Sequence, residues 1–534
     1  MTRHDYLILF LVGIIVALIA AVFEPVPGYM DAEYYYASGL QIASGNGFFE
    51  PFLWNYLDDP AGIPHPSHTY WMPFAAVLAA AGMFLTGLKD FLSARLVFII
   101  LAGLLPGFAA FISYRLTGKR IQALLAGAFA LFPGFYLIYN SNTETFTLYM
   151  LLGALIILVA FSNFSLFNQK PILRYLFLGV LAGLMHLCRA DGFIWLIPGI
   201  LLVVLSILEE KELFNQSLFS RLKQLLVYFL FLFAGYMLIM LPWYWRNFST
   251  FGSLFPPGNS LTLWMTHYDE LFVYPASRLN YASWIASGWS ALFLSRLNAL
   301  MSNLQTALAV QGEIFLFPLI LIGLGRLRKD RRITFIVIMY MVTLINMSIL
   351  FPFSGSRGGF LHSGAAFQLF FWAVAPAGLE WLVNRLVRWR GLEVRKAMII
   401  LGGGLVLISA GMTCYLFFQR VIGSNLENPT WAQSHSDYLR IELELEKRGV
   451  SLEERVMVNN PPGYYLASGR QCLVIPDGSL TNVINAGKRY EARYLILDKN
   501  FVEGLKDLYF EPFKTYPGVT YITTISGAHI FRLD

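Results

Sequence analysis

Eleven long apolar stretches dominate residues 1–420 of this chain of 534 residues. A helix needs about 20 apolar residues to cross the hydrocarbon core of a bilayer, because each residue advances it by only about 1.5 Å. Apolar residues make up 57% of the chain and charged residues 13%, whereas a soluble domain carries about 25% charged residues. The pattern predicts an all-α polytopic membrane protein and excludes a water-soluble enzyme. The predicted spans are about 6–23, 92–114, 120–139, 143–161, 172–188, 191–208, 222–243, 311–325, 332–352, 363–384 and 397–418.

A twelfth apolar segment, about 69–88, either crosses the membrane or lies along its face. It follows His68 and contains Pro73. If it does not cross and the N-terminus is cytoplasmic, the two loops richest in basic residues face the cytoplasm, as the positive-inside rule requires. Those loops carry Arg326, Arg328, Lys329, Arg331 and Arg332, and Arg385, Arg388, Arg390, Arg395 and Lys396. We therefore predict about 11 transmembrane helices plus juxtamembrane helices, with outer loops at 24–91 and 244–310.

The first apolar helix has two interpretations. It fits a permanent anchor, and the alternative is a signal peptide cleaved near the small residues Ala20 and Ala21. With the anchor retained, the protein is a multi-pass protein of the plasma (inner) membrane. Its net charge of +6 is mild and its basic residues cluster in short loops, so no nucleic-acid partner is expected.

The tail, residues 421–534, differs in composition from the preceding 420 residues. Charged residues return at 437–448, in a helical pattern that begins near Pro429. Five short apolar runs follow and alternate with helix-like or turn-like segments, which is typical of a small α/β domain. The runs are Val456–Val458, Cys472–Ile475, Tyr494–Leu497, Tyr521–Thr524 and Ile530–Leu533. We predict two domains, a membrane domain at 1–420 and an extracytoplasmic α/β domain at 421–534.

Acidic residues begin helices in two predicted outer loops. Asp31 and Glu33 follow the first span directly, and Glu144 follows Ser141 before another span. One interpretation is structural: Asp31 caps its helix, and Ser141 with Glu144 forms a capping box. The other is functional, because a carboxylate at the membrane rim can act as a general base or hold a cation.

Three arginines are placed on the same face by the predicted topology. Arg189 stands in a short turn with Asp191, and this pair is either a structural ion pair or part of a phosphate site. Arg246 ends a span beside Trp243 and Trp245, where an arginine commonly reaches to the headgroups. Arg357 lies in a glycine-rich loop whose main-chain NH groups can cradle phosphate.

A loop rich in histidine and proline precedes the segment at 69–88. His65 and His68 alternate with prolines and are followed by Tyr70. No third ligand stands at a fixed spacing, so the pattern favours a folded loop or a substrate contact over a metal site. The three cysteines, Cys188, Cys414 and Cys472, lie far apart and suggest neither a zinc site nor a disulfide framework.

The order of these motifs resembles the GT-C membrane glycosyltransferases, specifically the branch with bacterial aminoarabinose transferases and protein O-mannosyltransferases. The resemblance covers about residues 1–420, and the order of the short motifs carries most of it. The motifs are Tyr29-Met-Asp-Ala-Glu-Tyr-Tyr35, Pro64-His-Pro-Ser-His-Thr-Tyr-Trp-Met-Pro73, Arg115-Leu-Thr-Gly-Lys-Arg120, Asn142-Thr-Glu144, Cys188-Arg-Ala-Asp-Gly192 and Pro242-Trp-Tyr-Trp-Arg-Asn247.

The resemblance implies transfer of a sugar from a polyprenyl-phosphate donor on the outer face of the membrane, with inversion at the anomeric carbon. Asp31 matches the acidic residue of the first outer loop and would be the base, with Glu33 and Glu144 supporting the site. Relatives often have adjacent Asp-Glu where this chain has Asp-Ala-Glu, so the base is either Asp31 or Glu33. The acceptor is a lipid, a protein or a glycan.

The remaining implications concern the leaving group, the cofactor and the alternatives. A phosphate leaving group makes Arg189, Arg246 and Arg357 candidates for donor binding, and His65, His68 and Tyr70 candidates for substrate contact. No cofactor is required, although Asp31 and Glu144 are placed to hold a divalent cation. The absence of a Trp-Trp-Asp signature argues against transfer of a whole glycan to asparagine. The alternatives are a transporter or flippase of lipid-linked sugars and a non-catalytic envelope assembly protein.

Overall fold

Long apolar helices account for eight of the eleven predicted spans, if a bent pair is counted as one helix. The computed structural model describes residues 1–162, 165–209, 218–390 and 393–534. Among these residues, seven helices are long and apolar enough to cross a bilayer, or up to eight if a pair bent by 50° is counted as one. The seven are Arg3–Phe23, Phe91–Thr117, Pro171–Cys188, Phe219–Phe251, Arg331–Leu350, Pro352–Arg388 and Val394–Ile422, and the bent pair is Arg120–Leu131 with Gly134–Asn140.

Three further predicted spans coincide with shorter apolar helices. These are Phe146–Ala160, Ala190–Leu205 and Phe317–Arg326. Each of the eleven predicted stretches therefore contains a helix, and the predicted polytopic all-α membrane architecture is confirmed.

The segment predicted at 69–88 forms a shorter helix than expected. The helix Phe74–Thr86 has 13 residues, so it is only about 20 Å long at about 1.5 Å per residue. It packs against the helix Met30–Ala43, where a Cβ atom added to Gly39 would stand 2.8 Å from Ala79 Cβ. Small residues on both helices let the backbones approach closely. The helix Met30–Ala43, which has Asp31 in its first turn, is thereby packed tightly against Phe74–Thr86.

Glycines also bring two membrane helices into close contact. A Cβ atom on Gly179 would lie 2.0 Å from the main-chain oxygen of Leu232, and one on Gly235 would lie 2.1 Å from that of Leu176. The helices Pro171–Cys188 and Leu218–Phe251 thus pack through reciprocal small residues, a common device in membranes. This contact holds the helix Pro171–Cys188 in place, and Arg189 follows that helix directly.

The tail contains the predicted sheet. Together with β2 (Phe52–Leu53) of the first loop, the tail forms a six-stranded sheet of order β2-β5-β4-β6-β8-β7, in which β2, β5, β4 and β6 are parallel. All five apolar runs of the tail are strands: β4 (Arg455–Val458), β5 (Cys472–Val474), β6 (Ala492–Leu497), β7 (Val519–Ile525) and β8 (Ala528–Leu533). The helices of the tail are Gln433–Lys447, Pro461–Ser468, Leu480–Tyr490 and Lys506–Phe510.

The sheet takes its edge strand from the first loop, which the sequence analysis did not anticipate. Strand β2 (Phe52–Leu53) pairs with β5, while β1 (Phe49–Glu50) and β3 (His65–Pro66) form a separate antiparallel pair. The Tyr56 hydroxyl donates a hydrogen bond to the main-chain oxygen of Val474. The boundary at residue 420 stays a prediction, and the tail is joined to the first loop by a shared sheet.

The second loop completes the same region. It contains short helical segments and one longer helix, and Val273 forms a bridge with Asp477 of the tail. The Asn482 side chain donates a hydrogen bond of 2.8 Å to the main-chain oxygen of Tyr274. The helical segments of the second loop are Pro257–Trp264, Tyr268–Phe272, Ala276–Arg278, Tyr281–Ala286 and Trp289–Thr306. The two loops and the tail therefore contact one another and enclose the space described next.

Candidate active site

A large cavity lies between the helices, the two loops and the tail. Its volume is about 1000 Å³, which is at the upper end for sites that bind small molecules. Residues with polar groups from four parts of the chain line it, and apolar side chains extend the lining between the membrane helices. The polar lining includes Asp31, Arg189, Asp191, Arg357, His362, Asn459 and Asp498.

Asp31 is presented to this cavity by the start of a helix. It occupies the second position of the helix Met30–Ala43, whose cap residue is Tyr29 and has no side-chain cap bond. The interpretation of Asp31 as a helix cap is therefore wrong. Its side chain is 29% exposed, and its Oδ2 lies 3.8 Å from His362 Nε2. A carboxylate in the first turn is favoured by the helix dipole and remains available to a ligand.

Glu144 lies behind Asp31 and is buried. Its Oε2 accepts a hydrogen bond of 2.8 Å from the Tyr29 hydroxyl, and its Oε1 accepts from the main-chain NH and the hydroxyl of Thr145. The following helix, Phe146–Ala160, has no side-chain cap, so the predicted capping box with Ser141 is wrong. Ser141 instead accepts a hydrogen bond from Arg95. Glu144 is thus fixed by the adjacent Thr145 and by the distant Tyr29.

Both carboxyl groups ionise less readily than ordinary carboxyl groups, because the pKa of each is raised. Burial raises the pKa of Asp31, the nearby Glu144 raises it further, and Arg189 opposes the shift. Burial also raises the pKa of Glu144, while hydrogen bonds from Thr145 and Tyr29 oppose the shift. Two close carboxyls cannot both ionise cheaply unless they share a proton or a cation lies between them.

His362 joins these carboxyls in a cluster that fits a divalent cation. One ligand atom from each of Asp31, Glu144 and His362 lies within 4.8 Å of the others, and His362 Nδ1 is 3.6 Å from Glu144 Oε1. Two carboxylates with one imidazole form an oxygen and nitrogen donor set of the kind that divalent transition metals accept. The sequence analysis named the two acids and missed His362, whose only signal was its place three residues after a glycine-rich loop.

Arg189 is held by an ion pair that leaves part of its guanidinium free. Its Nε donates a hydrogen bond of 3.0 Å to Asp191 Oδ1, and Asp191 Oδ2 accepts one of 2.6 Å from Ser363. The guanidinium carbon lies 5.8 Å from the centre of the Tyr149 ring. Within the described chain, the two terminal nitrogens of Arg189 have no hydrogen-bond acceptor. Arg189 can therefore form the predicted ion pair with Asp191 and still offer its terminal nitrogens to a phosphate, so the two predicted alternatives are compatible.

Arg357 reaches the same cavity from the glycine-rich loop. The loop, Gly355–Gly359, bends where Gly358 has a φ of +128°, a value that favours glycine. The Arg357 guanidinium lies 4.8 Å from the centre of the Tyr268 ring of the second loop. The stacking orients the cation without neutralising it, so two arginines and one acidic cluster share the cavity wall.

Glu33 and Arg246, both predicted as site residues, lie outside the cavity lining. Glu33 is 2% exposed and accepts a hydrogen bond of 2.6 Å from Asn460, so it joins its helix to the tail. Arg246 donates hydrogen bonds to the main-chain oxygens of Phe48 and Ser67, at 3.1 and 2.8 Å. Arg246 therefore fastens the first loop to the end of a membrane helix, and the structure does not bring it to Arg189.

Of the three residues predicted as substrate contacts in the histidine-rich loop, one lines the cavity. His65 is buried with its Nε2 2.9 Å from Glu50 Oε1, and His68 is buried beside Tyr34. Neither lines the cavity. Tyr70 does, and its hydroxyl forms a hydrogen bond of 3.2 Å with Ser354 of the glycine-rich loop.

Comparison with known proteins identifies the fold. No protein-family model matches the sequence, and no curated protein matches it significantly. The structure of ArnT from Cupriavidus metallidurans bound to undecaprenyl phosphate is similar at 10% identity and a TM-score of 0.53, over 99% of this chain and 98% of that chain. The apo oligosaccharyltransferase of Archaeoglobus fulgidus is similar at 12% identity and a TM-score of 0.58, over 95% of this chain and 70% of that chain.

A second structure of the archaeal oligosaccharyltransferase, a complex with Zn and sulfate, has a TM-score of 0.55 and 15% identity, over 96% of this chain and 72% of that chain. Since these structures share one architecture with this chain across membrane helices and tail, the chain has the GT-C fold. The fold implied by the short sequence motifs is confirmed.

Proposed function

We propose that this protein is a membrane glycosyltransferase that moves a sugar from a polyprenyl-phosphate donor to an acceptor on the outer face of the plasma membrane, with inversion. One observation carries the proposal: Asp31, backed by Glu144 and His362, lines the same cavity as Arg189 and Arg357. A base and two cations around one space are the groups that displacement of a phosphate requires. The solved structures with undecaprenyl phosphate and with sulfate support the same assignment.

The apolar part of the cavity wall can accommodate the polyprenyl chain of the donor. Phe193, Leu196 and Met240 continue the lining from Arg189 between membrane helices, and a polyprenyl chain can stay in contact with such apolar side chains and lipid. The phosphate then lies at the polar end, where Arg189 and Arg357 neutralise the charge that develops on the leaving oxygen. This arrangement separates the lipid part of the donor from the part that reacts.

The Asp31 carboxylate is the base of the proposed reaction. An acceptor hydroxyl or amine attacks the anomeric carbon and gives its proton to Asp31 as the bond between that carbon and the phosphate oxygen breaks. The electron pair leaves with polyprenyl phosphate, and a single displacement inverts the anomeric carbon. Because burial and Glu144 raise the pKa of Asp31, its carboxylate is a stronger base than an ordinary aspartate.

Asp31, Glu144 and His362 would hold a divalent cation if one binds, and the cation would supply positive charge near the leaving phosphate. Asp31 has two carboxylate oxygens, so Oδ2 can face His362 while the other oxygen faces the cavity. Tyr29 and Thr145 fix Glu144 in either state, because they donate hydrogen bonds to it.

The test is donor turnover by the purified full chain in lipid nanodiscs. We would supply undecaprenyl-phosphate sugars labelled in the sugar, with a cell extract as the source of acceptors, and measure release of undecaprenyl phosphate. The proposal expects release with at least one donor and a product whose anomeric configuration is opposite to that of the donor. Absence of cleavage with every donor, or movement of intact donor across a membrane, would contradict it.

A further inference from the structure

The tail brings a group of polar side chains to the cavity, opposite the membrane helices. Asn459 and Asn460 follow strand β4 directly, and Asp498 and Asn500 follow strand β6. These strands are neighbours and parallel, so their carboxyl ends open at the same edge of the sheet. All four residues line the cavity that also contains Asp31.

At this edge, the connections that follow β4 and β6 lead to opposite sides of the sheet. From β4 the chain runs through the helix Pro461–Ser468 to β5 on one side, whereas after β6 it continues to β7 and then β8 on the other side. The loops that leave β4 and β6 therefore diverge and open a crevice between the two strand ends. In open α/β sheets, ligands bind in the crevice at such a topological switch point.

The hydrogen bonds in the crevice leave acceptor atoms free. The Asn459 amide donates to Asp498 Oδ1, which also accepts a hydrogen bond of 2.7 Å from the main-chain NH of Asn500. Within the described chain, Asp498 Oδ2 and the Asn459 amide oxygen receive no hydrogen bond. A fixed carboxylate and a fixed amide thus present two acceptors side by side, a suitable pair for adjacent hydroxyl groups.

Other tail residues in the cavity lining indicate which kind of ligand this end of the cavity can bind. Tyr438 and Phe501 line the same end, and an aromatic face packs well against the C–H face of a sugar ring. No lysine or arginine of the tail is among the described residues that line the cavity. This end therefore lacks the cations that a phosphate needs, in contrast to the wall with Arg189 and Arg357.

We propose that the crevice between the ends of β4 and β6 is a subsite for a glycosyl unit with adjacent hydroxyls, which Asn459 and Asp498 bind through hydrogen bonds and Tyr438 and Phe501 enclose. The inference rests on the proposed function, because it places this glycosyl unit in the cavity where transfer occurs. The unit belongs either to the donor or to a glycan acceptor, and both carry the same hydroxyl chemistry.

The test is saturation-transfer NMR with free methyl glycosides and the full chain in nanodiscs. The probes are methyl mannoside, methyl glucoside, methyl galactoside and methyl arabinoside, each at millimolar concentration. We expect signal from at least one glycoside. We expect the Asp498→Asn and Asn459→Ala variants to weaken binding about tenfold, because each removes or weakens a hydrogen-bond acceptor of the subsite.

The controls separate a binding role from a loss of structure. Asp477→Asn changes an acid after strand β5 that pairs with His267 outside the cavity lining, and it should leave the signal unchanged. Phe501→Leu removes an aromatic ring that encloses the proposed subsite and should weaken the signal even if Asp498→Asn unfolds the tail. Binding that is absent for every glycoside, or equal in all variants, would overturn the inference.

Two competitors distinguish the source of the glycosyl unit. If the unit belongs to the donor, undecaprenyl-phosphate sugar displaces the free glycoside and undecaprenyl phosphate alone does not. If it belongs to the acceptor, neither lipid removes the signal. Glycoside binding without any donor cleavage would contradict the proposed function and leave the subsite intact, whereas donor cleavage without glycoside binding would overturn only the subsite.

Discussion

His362 Nε2 lies 3.8 Å from the Asp31 carboxylate, although 331 positions separate the two residues in the chain. The imidazole is also stacked on Phe146, with 4.0 Å between the ring centres, so its plane is fixed. Its other nitrogen faces Glu144 at 3.6 Å. A histidine held between two acids by an aromatic ring is placed to serve as the third ligand of a divalent cation.

The His362→Gln variant should lose the affinity for a divalent cation. Removing one of three ligand atoms weakens the site, and we expect the affinity for Mn²⁺ to fall at least about tenfold. Electron paramagnetic resonance of Mn²⁺ titrated into the purified protein measures this. His267→Gln, which changes an exposed histidine of the second loop, serves as the control. Equal affinity and stoichiometry in the wild type and the His362→Gln variant would exclude the cluster as a metal site.

The Asp31→Asn variant should be more heat-stable than the wild type at neutral pH. The ordinary pKa of an aspartate carboxyl is 3.8, and burial and Glu144 raise it in the folded protein. Above pH 3.8 the unfolded chain therefore binds fewer protons than the folded protein, so the free energy of unfolding falls as pH rises towards the raised pKa. The asparagine side chain of the Asp31→Asn variant does not ionise, so this variant does not lose stability in this way as pH rises.

The measurement is the apparent melting temperature in nanodiscs from pH 4 to 8. The Asp31→Asn variant should melt above the wild type at pH 8, and the difference should disappear near pH 4. Asp59→Asn changes an exposed aspartate of the first loop and should follow the wild type. A variant that melts below the wild type at pH 8 would show that the charged form of Asp31 stabilises the fold.

Arg189→Ala and Arg357→Ala should slow donor cleavage by about 10²–10³-fold each, because each removes a cation from the developing phosphate charge. Inhibition by undecaprenyl phosphate should weaken in the same variants. Arg296 is the matched control, since its guanidinium also stacks on an aromatic ring, at 5.5 Å from the centre of Trp284, but lies outside the cavity lining. Unchanged inhibition constants in both variants would remove the arginines from the donor site.

Glu33 should make the stability of the protein depend on pH in the same direction as Asp31 does. Burial raises its pKa from 4.5 to about 7, and the hydrogen bond from Asn460 opposes part of this shift. The folded protein keeps the proton between pH 4.5 and 7 while the unfolded chain releases it, so stability falls as pH rises through this window. The melting temperature of Glu33→Gln should fall less from pH 5 to 8. A fall equal to that of the wild type would contradict the assignment.

The sequence predicted the fold where a periodic or continuous pattern was long enough. Each apolar stretch became a helix, and every short run of the tail became a strand, because burial of both faces imposes an unbroken apolar run. Strand β2 was missed because two residues, Phe52 and Leu53, carry no pattern. Its partner Cys472 lies 420 positions away, and such a pairing cannot be read from local composition.

The site was predicted in part, for a similar reason. Asp31, Glu144, Arg189 and Arg357 were found because a charged residue in an apolar chain is conspicuous. The capping interpretation, one of two that the sequence left open for Asp31 and Glu144, is wrong: Tyr29 is the cap residue before Asp31, and Glu144 accepts hydrogen bonds from Tyr29 and Thr145. His362 was missed because a single histidine in an apolar helix gives no spacing to compare with known metal sites.

The most direct test of the central claim compares initial rates of donor cleavage in the Asp31→Asn and Glu33→Gln variants. Both replace a carboxyl by an amide in the same helix, but only Asp31 lines the cavity. The account predicts that Asp31→Asn loses about 10²–10⁴-fold in rate, the usual contribution of a general base, and that Glu33→Gln keeps most of the wild-type rate. Equal rates in Asp31→Asn and the wild type, or a larger loss in Glu33→Gln, would contradict it.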